Sequence, residues 1–217
     1  PPLRHTLCRF CYLCTYTPPC YNHLMQLSDV LAFTQLTHAF QRVERVVHVT
    51  GTDRLENDLE HSGQLALMAW HLADIYHLSL DRQKLLQYAL AHDLVEVYAG
   101  DTFFYLQDLH AQEQKRQAEE RAAQQLQERF PNHAELHAVI HRYEDRADAE
   151  ACFIYALDKI LPVLNIFLDG GRTWRDHTIS LAMIRTKREK VALYPDLLPL
   201  WDELVTQLEA GQKHLFP

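Results

Sequence analysis

Three short stretches of this 217-residue sequence carry side chains that could act together on a charged substrate. The first is ENDLEHS, Glu56 to Ser62, in which His61 stands at the start of a run with helical apolar spacing. The second is HDLVEVYAGDT, His92 to Thr102, which holds an imidazole and the carboxylates of Asp93, Glu96 and Asp101. The third is Asp158, set among Phe153, Ile154, Leu157, Ile160 and Leu161. A lone carboxylate in such surroundings costs several kcal/mol unless it is paired, protonated or bound to a metal. Lys159 is adjacent, but neighbours in a helix point about 100° apart and do not face each other. A buried salt bridge to a more distant Arg or Lys is the structural alternative.

Each piece alone is ordinary. A histidine at a helix start is commonly exposed, and a His-Asp pair is more often a solvated helix end than a site. The second stretch departs from that pattern because Leu90, Ala91, Leu94, Val95 and Val97 make its helix largely apolar, so its polar residues are expected to be buried together. At i,i+4 on one helix, His92 and Glu96 share a face, with Asp93 beside them, and Gly100 ends the helix to present Asp101. His61, His92, Asp93 and Asp158 together make a set of neutral imidazoles and hard carboxylates. Such a set suits a first-row divalent ion and leaves positions open for water and substrate. His71 and His77 fall outside it and are expected to be structural. Trp70 and Trp174 are expected in core or dimer contacts, and Thr102 could touch substrate or cap the following segment.

The elements that must position these residues read as helices throughout. Apolar residues recur at three- and four-residue steps from Leu24 to Val47, which predicts one amphipathic helix, followed by a loop from His48 to Asp58. Further helices are expected from Ser62 to Tyr76, from a cap at Ser79 or Asp81 to just before Gly100, and from Glu113 to Phe130 as a polar surface helix. Pro131 stops the last of these, and another begins at His133. The stretch from Ala151 to Leu168 is apolar all round, which marks a buried central helix ended by Gly170-Gly171. Segments Ile179 to Tyr194 and Leu197 to Leu208 complete an all-α chain.

Composition narrows the function. At 47% hydrophobic content the chain can bury one sizeable core, and residues 25–217 are expected to form one domain. The formal charge of −8 leaves no basic stripe for a long nucleic acid. A small anion remains open, because one cation can invert the potential of an acidic pocket. No apolar run is read as long enough to cross a bilayer, so no membrane partner and a cytoplasmic location are expected. Cys8, Cys11, Cys14 and Cys20 crowd residues 1–24, with Cys152 alone in the body. Either they bind zinc through Cys-x-x-Cys spacing, or the segment is an unstructured leader, which could lie upstream of the natural start.

The order His61, His92-Asp93, Asp158 resembles the HD-domain metal-dependent phosphohydrolases. The strings RLENDLEHSGQLALMAWHLA, YALAHDLVEVYAGDTF, ALDKILPVL and GGRTWRDH are similar to the branch containing bacterial 5′-deoxynucleotidases, over about Leu31 to Trp201. The resemblance implies a single helical bundle around a buried metal site and hydrolysis of nucleoside 5′-monophosphates with Mn²⁺, Co²⁺ or a similar ion. It also implies a homodimer acting on a small phosphorylated substrate. By position Glu96 and Asp101 match the acids around the attacking water and the sugar. Arg45 is the nearest match to a phosphate-binding arginine on the first helix, although RVERVVHV lacks the tryptophan that accompanies it. Other HD chemistries, triphosphohydrolase or cyclic phosphodiesterase, and a nucleotide-binding protein without turnover are the alternatives.

Overall fold

The computed structural model describes residues 25–100 and 109–217. Asp101, Thr102 and the cysteines Cys8, Cys11, Cys14 and Cys20 lie outside the described residues. The architecture is all-α apart from one antiparallel pair of strands. Helix α1, Leu27–Phe40, ends well before the expected Val47, and Glu44–His48 forms strand β1, paired with β2, Leu55–Asn57. Branched Val46 and Val47 fit an extended chain once a partner strand is present. The register pairs Glu44 with Asn57 and His48 with Leu55, with an irregularity between them. That irregularity lies between Glu44 and His48, the span that holds Arg45, and bulges of this kind bend a strand and re-aim its side chains.

Helix α2, Asp58–Ile75, starts earlier than expected because Asn57 and Glu60 form a capping box. Asn57 Oδ1 accepts the Glu60 N–H at 3.0 Å, and Glu60 Oε2 accepts the Asn57 N–H at 3.1 Å. His61 is thereby set in the first turn, fully buried. Helix α3, Arg82–Ala91, is capped by Asp81 and does not continue to Gly100. Through His92 to Val95 the chain tightens, with backbone bonds reaching back three residues from Leu94 to Ala91 and from Glu96 to Asp93. The short α4, Glu96–Ala99, then ends at Gly100.

Helix α5, Leu109–Arg129, is the expected polar helix and buries Ala122 and Leu126 of its thin apolar ladder. Next come α6, Ala134–Glu144, and α7, Ala149–Leu168, which is the buried central helix. The cap of α7, Asp148, accepts the Ala151 N–H at 2.9 Å through Oδ1. Its Oδ2 accepts the Tyr88 hydroxyl at 2.8 Å and the Lys84 ammonium at 2.9 Å, both from α3. One carboxylate thus aligns the helix that ends at His92 with the helix that carries Asp158. By length and composition α7 could cross a membrane, at a mean hydropathy of 1.7, contrary to the expectation that no run is long enough. Its apolar window is 61% buried against the rest of the protein, and it carries Asp158 and Lys159 inside.

Beyond Gly170-Gly171 the chain folds into α8, Arg172–Asp176, α9, Leu181–Arg185, α10, Arg188–Val191, a 3₁₀ turn at Pro195–Leu197, α11, Leu198–Ala210, and α12, Gln212–Leu215. The continuous helix expected over Ile179 to Tyr194 is broken where the Thr186 hydroxyl bonds the Met183 carbonyl at 2.7 Å, a local bond that competes with helix continuation. Gly171 has φ +79°, and a Cβ there would collide with the Leu215 backbone. Trp174 stacks on Phe216 at 4.8 Å in the core, whereas Trp70 is exposed, as are His71 and His77.

Candidate metal centre

Strand β1, the start of α2, the turn between α3 and α4, and the middle of α7 converge on one group of buried polar side chains. Among the described residues, the donor atoms of His61, His92 and Asp158 lie within 4.8 Å of one another, and so do those of Asp58, Asp93 and Glu96. Asp93 joins the two groups, with Oδ2 3.0 Å from His92 Nε2 and 2.9 Å from Arg45 Nη1. The structure therefore brings together His61, the His92-Asp93 pair and Asp158, which come from three separate stretches of sequence.

The imidazoles are held in defined orientations. His92 Nδ1 lies 3.0 Å from the Ala89 carbonyl, which can only accept, so Nδ1 carries a proton and Nε2 is turned toward Asp93 at 3.0 Å and Asp158 Oδ1 at 3.7 Å. The Tyr143 ring packs edge-on against His92 at 5.4 Å and restrains its rotation. His61 Nε2 lies 2.9 Å from Asp158 Oδ1.

This geometry calls for positive charge between the two carboxylates. Burial alone would lower the His92 pKa, but Asp93 and Asp158 outweigh it and push it up to about 10. Burial would likewise raise both carboxylates, yet His92 holds Asp93, and Lys159 with His61 holds Asp158, well below the ordinary range. His61 is pulled the other way: burial, then Arg45, lower its pKa and keep it neutral. A divalent cation would meet the same demand with more charge. Donors within 4.8 Å of one another are close to the roughly 4.4 Å that spans two bonds of about 2.2 Å to such an ion. The imidazole and carboxylate donors match first-row divalent chemistry, so the residues fit the group.

Three expectations change at this point. Lys159 does reach Asp158 despite being its neighbour in sequence. Its long stem curls back, and its ammonium lies 4.9 Å from the centre of the Tyr155 ring. Glu96 does not share a continuous helical face with His92. The tighter turn stacks it three residues after Asp93, among Asp93 and Asp58. Arg45 is on β1 and not on the first helix. It lies beside the proposed ligands, with Nη1 3.0 Å from Asp58 and 2.9 Å from Asp93, and Nε 3.3 Å from Glu56.

Four further residues of the centre carry no role in the sequence reading. Glu56 and Asp58 stand in the ENDLEHS string, where two acids ahead of a buried histidine were the available signal. Burial, against the pull of Arg45, raises the Glu56 carboxyl to about 7. Lys159 was dismissed on helical geometry. Lys187 is buried, and burial followed by the charge of Lys159 lowers it to about 7. Nothing in its spacing marked it.

A family model described as an HD domain matches residues 38–197, and the chain belongs to the HD-domain family. The chain is 29% identical to a protein of known structure described as a predicted metal-dependent phosphohydrolase from Magnetospirillum magnetotacticum MS-1. That match covers 88% of this chain and all of that one, with a TM-score of 0.73. A conserved hypothetical protein from Pyrococcus furiosus matches at 19% identity and a TM-score of 0.56, over 83% of this chain and 99% of its own, and shares the fold. Among curated proteins no match was found.

Proposed function

We propose that this HD-domain protein is a metal-dependent phosphohydrolase that cleaves nucleoside 5′-monophosphates to nucleoside and inorganic phosphate, with His61, His92, Asp93 and Asp158 holding the cation. One observation carries the reading. His92 commits Nδ1 to Ala89 and turns Nε2 between two buried carboxylates, an arrangement that puts Nε2 where positive charge is wanted, as a proton in the bare chain or a cation in its place. The Magnetospirillum relative and the family membership support the same chemistry.

When bound, a divalent ion there supplies Lewis acidity at the phosphoryl group and lowers the pKa of an attacking water. Monoester hydrolysis is among the slowest uncatalysed reactions, so it needs that help. Glu96, buried beside Asp93, accepts the proton of the attacking water as the bond from phosphorus to the ester oxygen breaks, and returns it to that oxygen, which leaves as the nucleoside hydroxyl. Arg45 offers guanidinium N–H groups to the phosphoryl oxygens from β1. Asp101 keeps the sequence-based assignment of meeting the sugar, and Thr102 that of touching substrate or capping the following segment. The resemblance to the 5′-deoxynucleotidase branch supports Mn²⁺, Co²⁺ or a similar ion and a homodimer as the working form. The net charge of −8 supports a small substrate over a long nucleic acid.

The test is phosphate release from matched 5′- and 3′-monophosphates, a triphosphate and a cyclic monophosphate, with Mn²⁺, Co²⁺ or Mg²⁺ added to chelator-stripped protein. Phosphate from 5′-monophosphates, with little from the 3′-isomers, is expected. Release of triphosphate or of a linear nucleotide would move the reading to another HD chemistry. No turnover by any metal-loaded sample would leave a binding protein.

A further inference from the structure

Behind His61, on the side away from Asp158, two complementary atoms face each other. His61 Nδ1 and Glu56 Oε1 are both shut off from solvent, neither makes a hydrogen bond, and they lie 3.7 Å apart. That distance is too long for a hydrogen bond, and an approach of about 0.7 Å would make one. An imidazole nitrogen and a carboxylate oxygen, both buried and this close, are a donor and an acceptor once the ring proton sits on Nδ1.

The carboxylate is anchored from behind. Glu56 Oε2 takes the Asn165 amide at 3.4 Å. Asn165 is locked to Gln64 by a reciprocal pair, Gln64 Nε2 to Asn165 Oδ1 at 3.0 Å and Asn165 Nδ2 to Gln64 Oε1 at 2.8 Å. Gln64 follows His61 by one turn of α2, and Asn165 lies two turns beyond Asp158 on α7. The bracket therefore spans both helices that supply His61 and Asp158, and Arg45 Nε lies 3.3 Å from the same Oε1 that faces His61.

We propose that Glu56 is a positioning residue that accepts the Nδ1 proton of His61, fixing the ring so that bare Nε2 faces the cation, and thereby sets metal affinity. The inference rests on the ligand role of His61 given above. A ring that gives Nε2 to a metal must keep its proton on Nδ1, and a buried N–H without an acceptor is costly. His92 meets the same need with the Ala89 carbonyl, so the two imidazoles are supported by different acceptors. Acceptors of this kind behind metal-bound histidines typically change metal affinity by 10- to 100-fold when removed.

The experiment titrates Zn²⁺ into full-length protein and records the nitrogen-15 and ring-proton signals of both histidines. In the wild type a protected Nδ1–H is expected on His61 as well as on His92. Glu56→Leu should weaken Zn²⁺ binding about 10- to 100-fold and lose the protected His61 Nδ1–H, with the His92 signal unchanged as the internal control. Glu56→Gln keeps the shape with a weaker acceptor. It should therefore retain most of the affinity while its His61 Nδ1–H exchanges faster, and this variant serves if Glu56→Leu does not fold. Zn²⁺ binding and a His61 ring signal that are unchanged in these variants would overturn the role of Glu56 while leaving the ligand set standing. Wild-type protein that binds no Zn²⁺ would overturn the ligand set and this inference together.

Discussion

Helix α7 has two kinds of interior against it. Toward β1, α2 and the turn after α3 it contributes Asp158 and Asn165, which meet His61, His92 and Glu56, and Lys159, which pairs with Asp158. Toward the carboxy-terminal helices it contributes residues such as Phe153, which meets Tyr194 edge-on at 5.0 Å and belongs to the same core cluster as Val191, Trp201 and Leu204. The apolar side is stable on its own, since burial of each large side chain contributes roughly 1.5 to 3 kcal/mol. The polar side gathers buried carboxylates that depend on the positive charges of Arg45, Lys159 and a protonated His92 to stay ionised, and at Glu56 burial outweighs that help. The difference shows where this fold sets function against stability: one interior is held by apolar packing, and the other crowds buried charges that must be balanced against one another.

The strongest way to break that contrast is a ligand substitution set against an apolar one. His92→Ala should lose bound metal and drop phosphatase activity to background, whereas Leu208→Ala, in the carboxy-terminal packing, should keep metal and kcat within about twofold, allowing for a stability loss of about 2 to 5 kcal/mol. Equal loss of activity in both would mean that the two interiors are not separable.

Within the polar side, Glu96→Gln should lower kcat by roughly 10²- to 10⁴-fold, the usual worth of general acid–base catalysis, with metal content unchanged. A fully active Glu96→Gln protein removes the base assigned to this site. One that loses the metal would make Glu96 a ligand. On the apolar side, Trp201→Ala should cost about 3 to 5 kcal/mol in denaturant unfolding, by the same amount with and without chelator. The wild-type protein should itself lose stability on chelation, because a ligand that binds only the folded state stabilises it. A Trp201 cost that depends on metal would show that the two sides communicate.

The smallest effect concerns Lys187. Its folded pKa of about 7 lies below the unfolded value of 10.5, so the unfolded chain binds more protons between those limits. Its penalty is therefore fully present below pH 7 and is relieved as pH rises toward 10.5. Lys187→Met should stabilise the fold at pH 7 by on the order of 1 kcal/mol, with the gain fading by pH 10. Unfolding curves at pH 6, 8 and 10 check this, and a gain that grows with pH contradicts it.

The legibility of the sequence divides along the same line. The apolar helix around Asp158 and the His-Asp string could be read because periodicity and an out-of-place charge are local signals. The strand at Glu44–His48 could not, because Val43 and Val47 continue the helical spacing of α1 and only pairing with Leu55–Asn57 selects the extended form. The break at His92–Val95 was hidden for a similar reason, and with it the placement of Glu96 beside Asp58. Glu56 and Lys187 gain meaning only from partners brought together by the fold. Lys159 shows a rule applied too strictly: backbone directions diverge at i,i+1, but a flexible four-carbon stem can still return.

The central claim is that Asp158 is buried in an apolar helix because it binds a cation there. Elemental analysis of wild type and Asp158→Asn, both loaded with Mn²⁺ and passed through a desalting column, tests this most directly, since asparagine preserves the shape of the site. The account predicts close to one equivalent of metal on the wild type and little on the variant, with far-UV circular dichroism unchanged. An Asp158→Asn protein that keeps a full equivalent would contradict it.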